Sequence, residues 1–157
     1  NDKVRLINIS KYLDEIIQSI HPKLKKTNHS VKINCDPHIE VYTHPGAIAQ
    51  IIINLIINSI IHGFHDVNRG TINIDVTIEK QRLIILYRDN GAGIDEEQFE
   101  KLFDPFYTTQ ADKGGTGLGT HIIKNLVVDT LNGSIDAYSG ADGGLSYRMT
   151  LPDMRYS

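Results

Sequence analysis

The chain has 157 residues, 40% of them hydrophobic and 22% charged, enough apolar material for one globular domain with a real core, which excludes a disordered chain. A formal net charge of −3 supplies no uniform basic surface for nucleic acid or an anionic membrane, so any anionic ligand must be held locally. The single cysteine, Cys35, excludes an intramolecular disulfide and a cysteine zinc site and suits a reducing compartment.

The chain opens at Asn1 without methionine and shows no signal peptide. Its richest apolar stretch, residues 48–61, is interrupted by amides and reads as too short to span a bilayer, so the expectation is a soluble piece of a longer protein. From Leu13, the apolar residues Ile16, Ile17, Ile20 and Leu24 recur at helical spacing until Lys25, Lys26 and Asn28 break the pattern, which predicts an amphipathic helix. Residues 31–35 and 40–42 read as short strands around the Asp36-Pro37 turn. Pro45 suits the first position of a second helix that runs to about His62. Ile72, Ile74, Val76 and Ile78 alternate with polar residues, predicting a half-buried strand, and after a Lys80-Gln81 turn residues 83–88 form a more continuously apolar partner. Residues 96–102 then read as a short helix, 109–115 as a mobile loop, and 118–131 as a helix. Residues 134–138 and 145–151 close the chain as a hairpin. The predicted fold is α/β (α+β): a two-layer sandwich with helices on one face of a mixed, largely antiparallel sheet.

Within the second helix Gln50, Asn54, Asn58 and His62 fall four residues apart, a polar ridge on an otherwise Ile- and Leu-rich surface. Such a ridge is either the exposed face of the helix or the lining of a cleft, where an amide oxygen can serve a hard cation such as magnesium. Directly after the apolar strand comes Asp89-Asn90-Gly91-Ala92-Gly93-Ile94. Glycine there permits close backbone approach to a flat ligand. A buried carboxylate accepts a hydrogen bond from the exocyclic amine of adenine, whereas guanine presents an oxygen. Further on, Gly114-Gly115-Thr116-Gly117-Leu118-Gly119 leads into a helix, an arrangement whose backbone N–H groups favour phosphate. It lacks the Lys-Ser/Thr ending of a P-loop, the spacing of a dinucleotide-binding fingerprint, and an immediately preceding strand.

Four ordered segments now resemble the boxes of the histidine-kinase catalytic domain of the GHKL superfamily. Residues 50–62 resemble the N box, 89–93 the first glycine box, 103–106 the F box and 115–119 the second glycine box. The likeness extends over nearly the whole chain. It implies that Asn58 gives its oxygen to magnesium, with Asn54 one turn earlier near the phosphates, and that Asp89 reads adenine. Gly91, Gly93 and Ile94 would shape the base pocket, with His62 beside base or ribose. Gly115, Thr116, Gly117, Leu118 and Gly119 would serve the phosphates. Residues 108–114 would form a short ATP lid that includes Thr108 and Thr109, with Phe106 at its hinge. Two departures stand out: Ile61 occupies a place where the family commonly has lysine or arginine, for which Lys113 is the candidate substitute, and Thr120 and His121 replace the usual residues after the last glycine.

The superfamily also contains ATPases, which carry a glutamate one turn before the magnesium-binding asparagine. Here that position is Asn54, and an amide cannot act as a general base at neutral pH. The resemblance therefore implies Mg-ATP as cofactor and transfer of its γ-phosphoryl group to a histidine on a dimerisation and phosphotransfer domain of the same protein, with a response regulator downstream. A GHKL ATPase and a non-catalytic nucleotide-binding module are the alternatives. It further implies a cytoplasmic domain, of a parent protein that can itself be membrane-anchored, with no nucleic-acid partner and no direct membrane contact of its own. Phe64-His65-Asp66 resembles an acceptor-histidine box but sits in a link between helix and strand rather than on a dimerising helix. His21, His29, His38 and His44 show no zinc spacing.

Overall fold

A computed structural model describes residues 2–104, 119–140 and 143–156. Strand β1 (Arg5–Asn8) runs directly into helix α1 (Ile9–Lys25), whose start is fixed by Asn8: its side chain accepts from the Lys11 backbone N–H at 3.0 Å. Ile9, Leu13, Ile16, Ile20 and Leu24 form the buried stripe. The helix thus begins earlier than the run from Leu13 predicts. The two predicted strands around Asp36-Pro37 are present as β2 (Ser30–Cys35) and β3 (Glu40–Thr43), but they do not pair with each other. β3 leaves the main sheet and forms an antiparallel ribbon with β1, with Leu6 opposite Tyr42, while β2 lies parallel to β4 at the sheet edge.

Helix α2 (Pro45–Asn58) opens on proline and continues through a π-helical turn, Ser59–Gly63, closed by a bond from Phe64 N–H to Ser59 O at 2.8 Å. Its N-terminus is capped from a distance: the Asp2 carboxylate accepts from Gly46 N–H at 2.8 Å and Ala47 N–H at 3.0 Å. Over Pro45–Gly63, 19 residues of mean hydropathy 1.6, this helix is long and apolar enough by length and composition to cross a membrane. That corrects the expectation that it is too short. Its Ile48, Ile51, Ile52, Leu55 and Ile56 are buried in this fold, so here it is the core helix.

β4 (Thr71–Glu79) and β5 (Arg82–Asp89) form the predicted hairpin, with Lys80 and Gln81 both at positive φ in a two-residue turn. Helix α3 (Glu96–Lys101) starts on a capping box between Asp95 and Gln98. Helix α4 (Thr120–Asn125) continues through a second π-helical turn, Leu126–Thr130. β6 (Ser134–Ser139) and β7 (Leu145–Pro152) close the sheet, ordered β2-β4-β5-β7-β6 and antiparallel except for β2. Helices and sheet make the expected two-layer sandwich.

Side chains on the helix-facing side of the sheet line up across strands: Ile74, Tyr87 and Tyr147 in one row, and Val76, Ile85 and Met149 in the next. Successive residues of a strand alternate faces, so Leu83, Ile85, Tyr87 and Asp89 all point toward the helices. Strand β5 therefore places one carboxylate at a core position at its very end, beneath the C-terminal turns of α2.

Candidate functional site

Asp89 is 8% exposed, and a carboxylate at that depth requires donors. It has three. Oδ1 accepts from the backbone N–H groups of Gly91 at 3.0 Å and Leu145 at 3.1 Å, and Oδ2 accepts from Ser59 Oγ at 2.7 Å. A carboxylate has about four lone-pair sites, so among the described residues one remains, on Oδ2. Tyr87 Oη lies 2.6 Å from Ser59 Oγ and 3.0 Å from the Leu55 carbonyl oxygen. Burial, with the nearby Asp89 charge, pushes the Tyr87 phenol well above its ordinary pKa against the opposing Ser59 hydrogen bond, and the same two causes raise Tyr147. Both rings keep their protons.

Backbone contact holds the elements together here. Ala92 N–H donates to the Gly63 carbonyl at 2.9 Å, and a Cβ on Gly91 would stand 2.5 Å from that oxygen. A Cβ on Gly144 would collide with the Asp89 carbonyl oxygen. The first loop after β5 thus lies against the π-helical end of α2 on one side and against the start of β7 on the other. Any side chain at Gly91 or Gly144 would separate them.

A cavity of about 220 Å³ opens beside Asp89, bounded by Asn58 and His62 of the amide ridge, by Gly93 and Ile94 after β5, and by Tyr147. Burial, followed by the neighbouring His65, lowers the His62 pKa below its ordinary 6.5, favouring the neutral ring at neutral pH. The ridge therefore divides. Asn58 and His62 border the cavity, whereas Gln50 is exposed, and Asn54, half-buried one turn earlier, is not part of this lining. His65 also borders the cavity, its ring held 3.0 Å from the His62 carbonyl oxygen and 3.0 Å from Asp66. It stands in the link after α2, off any long helix.

Of the other predicted site residues, Gly91 supports the loop from behind, and Gly119 is the cap residue of α4. Thr120 is buried and donates its hydroxyl to the Leu102 carbonyl, joining the start of α4 to the end of α3. His121 is half-buried on α4, and Ile61 is 53% exposed. Phe106, Thr108, Thr109, Lys113, Gly115, Thr116, Gly117 and Leu118, and with them the lid, lie outside the described residues. Among the described residues no group of three or more His, Cys, Asp or Glu could hold a metal ion.

Sequence reasoning missed Ser59, Tyr87, Gly63 and Gly144. Two of them had a signal. Ser59 is the one hydroxyl in the run of aliphatic residues and amides from Ile51 to Ile61. Tyr87, two residues before Asp89, shares its face by strand periodicity.

The family model for histidine kinase-, DNA gyrase B-, and HSP90-like ATPases matches residues 43–155. The chain belongs to this family. Over 140 residues, 80% of this chain and 16% of the relative, it is 32% identical to the autoinducer 2 sensor kinase/phosphatase LuxQ of Vibrio harveyi. The catalytic domain of histidine kinase ThkA superposes with a TM-score of 0.83 at 25% identity, covering 96% of this chain and 98% of that one. A structure of ThkA in complex with the response regulator TrrA gives a TM-score of 0.77 at 23% identity, covering 96% of this chain and 42% of that one. The chain spans between 14% and 46% of the length of the first curated relatives that it matches. It is an ATP-binding domain of the GHKL type found in sensor histidine kinases.

Proposed function

We propose that residues 1–157 form a single catalytic domain that binds Mg-ATP in the cavity beside Asp89 and donates the γ-phosphoryl group to a histidine on a separate dimerisation and phosphotransfer domain of the same protein. The observation that carries this reading is the Asp89 carboxylate, buried and held, among the described residues, by three donors with one Oδ2 lone pair left beside the cavity. That is an acceptor suited to one amine and hostile to a carbonyl oxygen, hence to adenine over guanine.

The donor set fits the rest of the nucleotide complex. Gly93 and Ile94 offer a thin wall for a planar base, and His62, neutral by burial, borders the same space. Asn58 borders the cavity with a hard amide oxygen, and no group of three or more His, Cys, Asp or Glu among the described residues could hold a metal, which suits a magnesium ion bound mainly through phosphate oxygens. Bound there, magnesium would neutralise the phosphates and orient them for in-line displacement. Asn54, one turn from Asn58, would lie near the phosphates. The second glycine box and the lid, with Phe106, Thr108, Thr109 and Lys113, would complete the phosphate end.

The domain's own residues supply positioning and electrostatics, and the nucleophile is an imidazole nitrogen from outside the chain. No carboxylate on the amide ridge can activate water, which supports a kinase over a hydrolase. A response regulator as downstream partner and a cytoplasmic location are the corresponding proposals for the whole protein, supported by its sensor-kinase relatives.

Calorimetry with and without a chelator tests the metal arm. Wild type should bind ATP more tightly with magnesium, and Asn58→Ala should erase that difference. An undiminished difference in the variant would place the metal elsewhere.

A further inference from the structure

Three buried oxygens form a chain whose direction follows from counting protons. Tyr87 is fully buried, so its hydroxyl finds its partners within the protein, while Ser59 and Asp89, 4% and 8% exposed, open only onto the cavity. The Tyr87–Ser59 contact is 2.6 Å, the Ser59–Asp89 contact 2.7 Å, and the Tyr87–Leu55 carbonyl contact 3.0 Å. Each hydroxyl has one proton, and Asp89 accepts at both oxygens. If the Tyr87 proton went wholly to Leu55 and the Ser59 proton to Asp89, the 2.6 Å contact would hold no proton and would set lone pair against lone pair. If Ser59 turned to donate to Tyr87, Asp89 Oδ2 would face a bare hydroxyl oxygen at 2.7 Å. The arrangement that places a proton in both short contacts runs from Tyr87 to Ser59 to Asp89, with Leu55 taking the longer branch.

This chain completes the fixation of the carboxylate. Both backbone N–H groups bond to Oδ1, and neither fixes Oδ2. The Ser59 hydroxyl, oriented by Tyr87, holds Oδ2. Resting on the adenine-reading role above, we propose that Ser59 and Tyr87 are positioning residues that set base specificity: a directed donor chain that fixes Asp89 and aims its last Oδ2 lone pair at the exocyclic amine of a 6-aminopurine. Neither hydroxyl need touch the base. Tyr87 acts only through Ser59.

The readout is amine discrimination: the Kd of purine riboside triphosphate, which has hydrogen in place of the amine, divided by the Kd of ATP. Calorimetry on the folded chain should give about tenfold or more for wild type, the scale of one charge-assisted hydrogen bond, and a ratio near one for Asp89→Asn. Ser59→Ala and Tyr87→Phe should each lower the ratio about three- to fivefold. The double variant should be no worse than Ser59→Ala alone, since both changes interrupt one chain.

The outcomes separate the two claims. A wild type that ignores the amine overturns the adenine-reading role itself. If wild type and Asp89→Asn behave as expected while Ser59→Ala and Tyr87→Phe keep the full ratio, the reading stands and the donor chain fails. Equal losses for both nucleotides, or additive losses in the double variant, also overturn it, because they mark a merely structural role. Should Ser59→Ala not fold, Tyr87→Phe, which keeps the buried ring, carries the test alone.

Discussion

Asp89→Asn tests the base-reading role by exchanging one carboxylate oxygen for an amine, and the structure dictates which one. Oδ1 receives two backbone N–H groups, from Gly91 and Leu145, so the amide oxygen must take that place. The NH₂ group then falls at Oδ2, opposite Ser59 and on the side left for the ligand. Ser59 can turn to accept from it, but the incoming adenine amine meets a donor instead of an acceptor. The variant thus loses a charge-assisted hydrogen bond, worth about 1.5–3 kcal/mol, which weakens ATP binding about 10- to 150-fold. Calorimetry measures the effect, and circular dichroism on the same samples confirms the fold. A Kd within twofold of wild type would refute the role, as would equal affinity of the wild type for GTP and ATP.

Two further predictions concern the frame that carries the site. Asp2→Ala removes the carboxylate that caps the N-terminus of α2 through Gly46 and Ala47, and should cost about 1 kcal/mol, read as a melting point lower by about 2–4 °C; an unchanged melting curve would contradict it. Asp153 is buried, which would raise its pKa, but the Arg155 and Tyr42 backbone N–H groups and the Arg155 guanidinium outweigh that and hold it below 3.8. A depressed carboxylate stabilises the fold above its unfolded pKa and loses that contribution as pH falls through the folded one. The stability gap between wild type and Asp153→Asn should therefore be full at neutral pH and shrink below about pH 3.8; denaturant titrations that show the gap growing on acidification would reverse the assignment.

The periodic elements were legible because their signals are local. Ile72 to Ile78 alternates as a strand with one buried face must, and the Lys80-Gln81 turn follows at once. The amide ridge was visible as a four-residue spacing, but its division was not: only a fold that seats Asp89 under the end of α2 makes Asn58 and His62 border the cavity and leaves Gln50 exposed. The β1–β3 ribbon escaped because β1 runs into α1 with no intervening turn residue, and because the Asp36-Pro37 turn makes its flanking strands look like neighbours. The two π-helical turns have no sequence signature as plain as proline or glycine. A Cβ on Gly63 would stand 3.2 Å from Asp89 Oδ2, and one on Gly144 would collide with the Asp89 carbonyl oxygen, partners far away along the chain. Tertiary contact, not local propensity, selects such residues.

Phosphoryl transfer to an external histidine can be followed with radiolabelled ATP. The chain would be incubated alone and together with the dimerising helical domain of its parent protein. The chain alone should bind ATP with scarcely any turnover. With the helical domain present, label should appear on a histidine of that domain, labile to acid and stable to base, and should persist when this chain carries His65→Ala. Rapid phosphate release by the chain alone would contradict the account in favour of a hydrolase, and a label abolished by the His65 change would place the acceptor inside this domain.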